Sequence, residues 1–175
     1  MIARRMHGTS IALVAIFLLA IGCGGPKTEV RDNYDPDTDW NRVETFIWFG
    51  IQAQRGVNEF NVKRLANAIR DELQRKGLDI VGDRTFADVG VAAYLGVLPK
   101  AIDTWKSTGG VLWAKDKELV SAGALVIEMV DLKTGKLVWQ GSAERQLADD
   151  PTPAQTEKTI KEVVKKLFAD FPPSP

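Results

Sequence analysis

Histidine and cysteine are almost missing from this chain of 175 residues: it has one of each, His7 and Cys23. Both fall in or beside a segment that reads below as a removable leader. A mature protein without His7, and with Cys23 chemically blocked, has neither an imidazole nor a free thiol. Ser-His-Asp and Cys-His nucleophiles and histidine-based zinc sites then have no residues to build them. A lone cysteine also leaves no partner for an internal disulfide. An excess of either charge is lacking too, with 23 Lys and Arg against 23 Asp and Glu. No electrostatic footprint for nucleic acid results, and none is expected as a partner. The pair Gly109-Gly110 lacks the Lys-Ser/Thr of a phosphate loop and the spacing of a dinucleotide fingerprint, so no cofactor is expected. The apolar run Ile11 to Ile21 falls well short of the roughly 20 residues that cross a bilayer, which argues against a permanent transmembrane helix.

What stands at the N-terminus has its own logic. Arg4 and Arg5 precede that apolar run, and the small residue Gly22 follows it. This is the three-part layout of a secretory signal over residues 1–22. The flanks of Arg4-Arg5 do not match a twin-arginine signal, so the general secretion route is expected. Leu19-Ala20-Ile21-Gly22-Cys23 resembles a bacterial lipobox, in which Cys23 is lipidated and becomes the first residue of the mature chain. The competing reading is a plain secreted protein with a chance cysteine at its cleavage site. Each buried methylene contributes about 0.8 kcal/mol, so several acyl chains would hold the protein on a membrane. Gly24, where an Asp would retain a lipoprotein at the inner membrane by enterobacterial analogy, implies the outer membrane facing the periplasm. Residues 23–27 read as the lipidated tether, and residues 28–173 as one domain.

Within that domain the stretch Gly123 to Leu147 reads as two strands around a tight turn. Along the first, both parities are mostly apolar, which suits a strand covered on both faces for part of its length. Along the second, Leu137, Trp139, Gly141 and Ala143 share one parity, while Gln140, Ser142 and Glu144 share the wet one. The link Asp131 to Lys136, with Gly135 late in it, fits a type I turn closed by a left-handed residue.

Further strands are expected over Thr28–Tyr34, Val43–Phe49 and Val89–Leu98. Gly50 to Gly56 reads as a connection. Gly90, Ala92 and Gly96 leave one side of the third strand thin enough for a helix to approach. The alternating aspartates Asp35, Asp37 and Asp39 invite a calcium-loop reading, but the EF-hand positions for Gly and Glu hold Trp40 and Phe46. An Asp/Pro turn is expected there, and no metal site. Residues 99–121 form the least regular part, an excursion or a long hairpin, with Trp105 and Trp113 flanking Gly109-Gly110.

Two helices are expected. In the first, about Asn61 to Lys76, Val62, Leu65, Ala66, Ile69 and Leu73 form one stripe. Asn58 or Asn61 caps its start, and Gly77 ends it. The second starts at Thr152-Pro153-Ala154-Gln155, a capping box with proline at the first helical position. Its stripe is Ile160, Val163, Val164, Leu167, Phe168 and Phe171, and Pro172 stops it. The fold class expected from these elements is α+β: a mostly antiparallel β-sheet with two amphipathic helices packed on it, in a single domain.

NYDPDTDW, the strand end TFIWF, the helix end RKGL, the hairpin around DLKTGKLVWQG and the terminal LFADFPP follow one another behind the lipobox. In that order the chain resembles the bacterial lipoproteins catalogued as domain of unknown function 4136, over nearly all of its mature length. The resemblance implies an α+β sandwich of a mostly antiparallel sheet and helices, and carries no assigned activity or catalytic residue.

Three functional readings follow. The first is a non-enzymatic envelope lipoprotein, held to the membrane through Cys23, that presents its domain to a protein partner or to another envelope component. Trp105 and Trp113 are its candidate contact surface, since aromatic anchors dominate interfaces; the alternative is that both fold back onto the core. The second is a periplasmic small-ligand binder or carrier with a pocket between sheet and helices. The third is a carboxylate-dependent hydrolase or a Ser-Lys enzyme. For the hydrolase, Asp103, Glu128 and Glu144 are the acids in or beside predicted strands, and two of them would have to share a cleft.

Overall fold

The computed structural model describes residues 27–107 and 113–172, without the side chains of residues 102–107 and 113–118. The expected signal, Cys23 and the tether up to residue 26 lie outside the described residues. In chain order the elements are β1 (Thr28–Tyr34), β2 (Thr45–Ala53), α1 (Glu59–Arg75), β3 (Asp79–Ile80), β4 (Val89–Ser107), β5 (Trp113–Asp131), β6 (Leu137–Gln146) and α2 (Pro153–Leu167). Short 3-10 turns at Trp40–Arg42 and Arg84–Phe86 join some of them.

All six strands form one sheet in the order β1-β6-β5-β4-β2-β3. The β1–β6, β6–β5 and β5–β4 pairings are antiparallel, whereas β4–β2 and β2–β3 are parallel. The expected α+β class therefore holds, and the sheet is mostly antiparallel as expected, but it is mixed, because two of its five pairings are parallel. A helix-length connection is what permits parallel neighbours. Here α1 carries the chain from β2 to β3, and the chain then crosses to the other side of β2 to enter β4.

Both helices cover the same face of the sheet. That face is built by alternate residues: Val89, Val91 and Ala93 of β4, Ile127 and Met129 of β5, Trp139 and Ala143 of β6, and Phe46 of β2. Leu65, Ile69 and Leu73 of α1 and Val164, Leu167 and Phe168 from the α2 end close the core. At about 25 cal/mol per Å2 of apolar surface removed from water, this layer drives the fold. Its aromatic centre is Trp139, stacked on Phe168 at 5.1 Å and met edge-on by Phe171 at 5.4 Å, with Trp40 edge-on to Phe171 at 5.3 Å.

Local signals behave as their chemistry demands. Asn58 rather than Asn61 caps α1, accepting from the Phe60 and Asn61 N–H groups. Gly77 takes φ +96° just after α1, and Leu78 N–H closes back onto Leu73 C=O. On α1, Ala68 and Glu72 are buried whereas Val62 and Ala66 are only half-buried, a small rotation of the expected stripe. Thr152 and Gln155 form the expected reciprocal capping box. Gly135 closes the β5–β6 turn at φ +72°.

Other expectations need correction. Gly50 does not end β2: it sits in a bulge at φ +110°, and the strand runs on to Ala53. A register shift beside Met129 puts Leu137 at the surface and Val138 in the core, reversing the expected parity at the start of β6. The face of β5 that carries Val126, Glu128 and Val130 meets no helix and is only half-buried. Over Gly90 lies the ring of Phe49, not a helix.

Of the two readings of residues 99–121, the long hairpin holds: the described residues 99–107 and 113–121 are paired strands. From Val89↔Asp131 to Ser107↔Trp113 the β4–β5 ladder is continuous. β2 stops pairing at Leu95, and β6 stops at Ala122. Beyond those points β4 and β5 continue as a two-stranded ribbon for roughly 27 Å at the usual strand rise. Pro99 falls where β4 has lost its outer neighbour, the kind of edge position that tolerates a proline.

Candidate functional site

Three features stand apart from the core: the ribbon, the ion pairs at its base, and a groove between sheet and helices. The ribbon carries Trp105 opposite Lys115 and Trp113 opposite Ser107, on alternate rungs. The register thus brings the two expected contact residues to the same end of the ribbon. Their side chains lie outside the described ones. At the base, Lys100 Nζ bonds Glu29 Oε1 at 3.0 Å and Glu144 Oε2 at 3.2 Å. This holds the ribbon's first rungs to β1 and β6. The hydrogen bond from Lys100, then its charge, keeps the Glu29 carboxyl below the ordinary range, and bonds to both acids raise the Lys100 ammonium.

The carboxylates singled out from the sequence do not converge. Glu128 accepts from Gln140 Nε2 at 2.8 Å, its cross-strand partner on β6. Glu144 lies four residues farther along β6, roughly 13 Å away at the strand rise, and is engaged by Lys100. Asp103 pairs with Lys117 on the ribbon backbone, and its side chain lies outside the described ones. Of the three aspartates before Trp40, Asp35 and Asp39 accept from the backbone N–H of Asp37 and Asn41, as an Asp/Pro turn requires. Among the described residues, no three His, Cys, Asp or Glu side chains gather as metal ligands.

A better-ordered acid is Asp88, just before β4. Its Oδ2 accepts from Glu44 N–H at 3.2 Å, Thr45 N–H at 3.1 Å and the Thr45 hydroxyl at 2.9 Å. Burial by itself would raise its pKa, but these donors, together with Lys133, hold it below the ordinary carboxylate range. Leu132 N–H also bonds the Asp88 carbonyl, so this residue ties the starts of β2 and β4 to the β5–β6 turn. The role is architectural.

The groove lies under the N-terminal halves of α1 and α2, where the sheet gives way to the ribbon. Its volume is about 310 Å3. Leu65, Leu95, Leu125, Ile160 and Val163 make its walls, and Asn58, Asn61, Thr156 and Thr159 bring polar atoms to its rim. Among the lining residues only Arg145 is charged. It lies on the helix-facing parity of β6, after Trp139, Gly141 and Ala143, and Nη1 donates to Thr28 Oγ1 at 2.8 Å. Volume and lining resemble a ligand site: such sites hold roughly 300–1,000 Å3, with apolar walls and a few placed polar groups. The expected pocket between sheet and helices is therefore present. A charged residue on an otherwise apolar strand parity was the one sequence signal for it. The space itself depends on how far the two helices splay from the sheet.

A two-helix layer on a mixed sheet, with a protruding ribbon and an apolar groove, defines the class of domain. The chain belongs to the family Domain of unknown function (DUF4136), whose model matches residues 30–173. It is similar to the crystal structure of a DUF4136 family protein from Bacteroides thetaiotaomicron, at 17% identity and TM-score 0.55 over 83% of this chain and 96% of that one. A PDZ domain protein from Parabacteroides distasonis gives 15% identity and TM-score 0.54 over 86% of this chain; this chain spans only 37% of that protein's length. The PelC dodecamer from Paraburkholderia phytofirmans gives 11% identity and TM-score 0.52 over 82% of this chain and 96% of that one. At these identities the likeness concerns the fold. No curated protein matches the sequence significantly. Among the described residues no helix is long and apolar enough to cross a membrane.

Proposed function

We propose that this chain is a bacterial envelope lipoprotein, anchored through acyl chains on Cys23 in the outer membrane, whose domain engages a protein partner in the periplasm without catalysing a reaction. The observation that carries this reading is the ribbon. Among the described residues, both its edges lack a neighbouring strand beyond Leu95 and Ala122. A two-stranded ribbon is at best marginally stable alone in water, and docking against a partner is the general remedy. Trp105 and Trp113 supply large apolar anchors for that contact. The wide separation of Glu128 and Glu144 supports a binding role over carboxylate-dependent hydrolysis.

The test is photo-crosslinking in cells, with probes replacing Trp105 and Trp113 and a control probe at the exposed Lys161 on α2. One discrete crosslinked band from the ribbon sites alone is expected. Equal labelling from all three sites, or none from any, removes the adaptor reading.

A second reading, a carrier of a small ligand, is favoured by the groove under α1 and α2. Its walls are apolar and its one charged lining residue is Arg145.

A further inference from the structure

We infer that the groove beneath α1 and α2 binds a single-chain fatty carboxylate, its apolar tail between sheet and helices and its carboxylate on Arg145. The inference rests on the carrier reading and names its ligand.

The tail assignment comes from the walls. Leu65 of α1, Leu95 and Leu125 of the sheet, and Ile160 and Val163 of α2 face a common space of about 310 Å3. That is the small end of the range for ligand sites. It suits one chain better than the paired chains of a phospholipid. Filling it would remove from water the apolar surface that the packing of helices on sheet leaves uncovered, at about 25 cal/mol per Å2.

The head assignment comes from charge. Among the described lining residues Arg145 alone is charged, so no acid among them opposes an anion. Its bond to Thr28 Oγ1 uses one of the five N–H donors of the guanidinium and steadies the group. A guanidinium presents a planar fork that matches a carboxylate in two parallel bonds. One cation balances one carboxylate charge; a phosphate monoester, at about −1.5 to −2, would exceed it. Thr28 opens β1, directly after the tether, so the head would sit close to where the chain leaves for the membrane.

The experiment uses the full chain in phospholipid nanodiscs and a dodecanoate probe carrying a photoreactive diazirine on its tail. Labelled peptides are mapped by mass spectrometry. Label concentrated on the wall segments around Leu65, Leu125 and Val163 is expected. Unlabelled dodecanoate should displace it, and dodecanol at the same concentration should not. Arg145→Gln should lower labelling at least tenfold. Val163→Trp, which fills the space from α2, should abolish it while the circular dichroism spectrum is kept. Label spread evenly over the surface, or unchanged in both variants, overturns the inference. So does a groove closed to the probe because a second copy or the chain's own tether, residues 23–26, fills it. Equal displacement by dodecanol, or stronger displacement by dodecyl phosphate, overturns the carboxylate assignment while leaving the carrier reading standing.

Discussion

A Cβ added to Gly141 would lie 2.8 Å from Cζ2 of Trp139 and 3.0 Å from Cδ1 of Leu167. The Trp139 ring crosses the space that a side chain at Gly141 would need, and from there it stacks on Phe168. Gly141→Ala therefore forces the indole or the end of α2 to move. Overpacking of this kind costs about 1–3 kcal/mol. Urea unfolding should show a loss near the middle of that range. Gly82→Ala, with nothing within 4 Å of the added carbon, should be neutral or stabilising by under about 1 kcal/mol. Equal effects at the two glycines would contradict the packing described for Trp139.

The Asp88 carboxylate is favoured in the fold by three donors, and its pKa lies below the ordinary value. A carboxyl depressed in the folded state contributes stability above its unfolded pKa of about 3.9, and that contribution is lost as pH falls through the folded value. Asp88→Ala should cost about 2 kcal/mol at pH 7, because Glu44 and Thr45 lose an acceptor. It should also make the decline below about pH 4 shallower. Some decline should persist through Asp131, which is lowered by the N–H of Thr134 first and then by the Thr134 hydroxyl and Lys133 N–H. Unfolding curves from pH 2 to 7 that run parallel in wild type and variant would rule out this role for Asp88.

Excision of the ribbon separates fold from contact. Replacing residues 100–120 by an Asn-Gly turn leaves in place the buried residues of β4 and β5 among the described side chains, Val89 to Ala93 and Ala122 to Met129. It does remove the Lys100 pairs, but these lie at the surface, where solvent screens them. The melting temperature should fall by less than about 8 °C for a domain of this size. Crosslinking to a partner should vanish. Unfolding of the shortened chain would show that the ribbon belongs to the folding unit.

In the function proposed above, anchoring depends on one atom, the Cys23 sulfur. Cys23→Ser should move the protein from the detergent-extracted membrane fraction to the periplasmic soluble fraction, and should abolish labelling by an alkyne fatty acid at that residue. Alkyne labelling that persists in the serine variant would refute the lipid anchor at Cys23.

Much of the fold was legible because it rests on short-range chemistry. The Thr152–Gln155 capping box, the left-handed Gly77 and Gly135, and the alternation along β6 from Trp139 to Glu144 each involve residues a few positions apart. The sequence alone therefore determined where the helices and the central hairpin stand, and that the class is α+β. It also determined that a mature chain without His7 and with Cys23 acylated has no imidazole or free thiol. Gly50 misled because a glycine signals equally a strand end and a bulge, and only the pairing of β2 with β4 makes it a bulge. Pro99 misled for a similar reason: whether a proline is tolerated in a strand depends on a neighbour that is near only in space. Tertiary structure alone decided the parallel pairs, the three donors on Asp88 and the separation of Glu128 from Glu144. It also opened the groove ending on Arg145. Each is set by how strands far apart in the chain come to lie side by side, and by the gap that two helices leave above them.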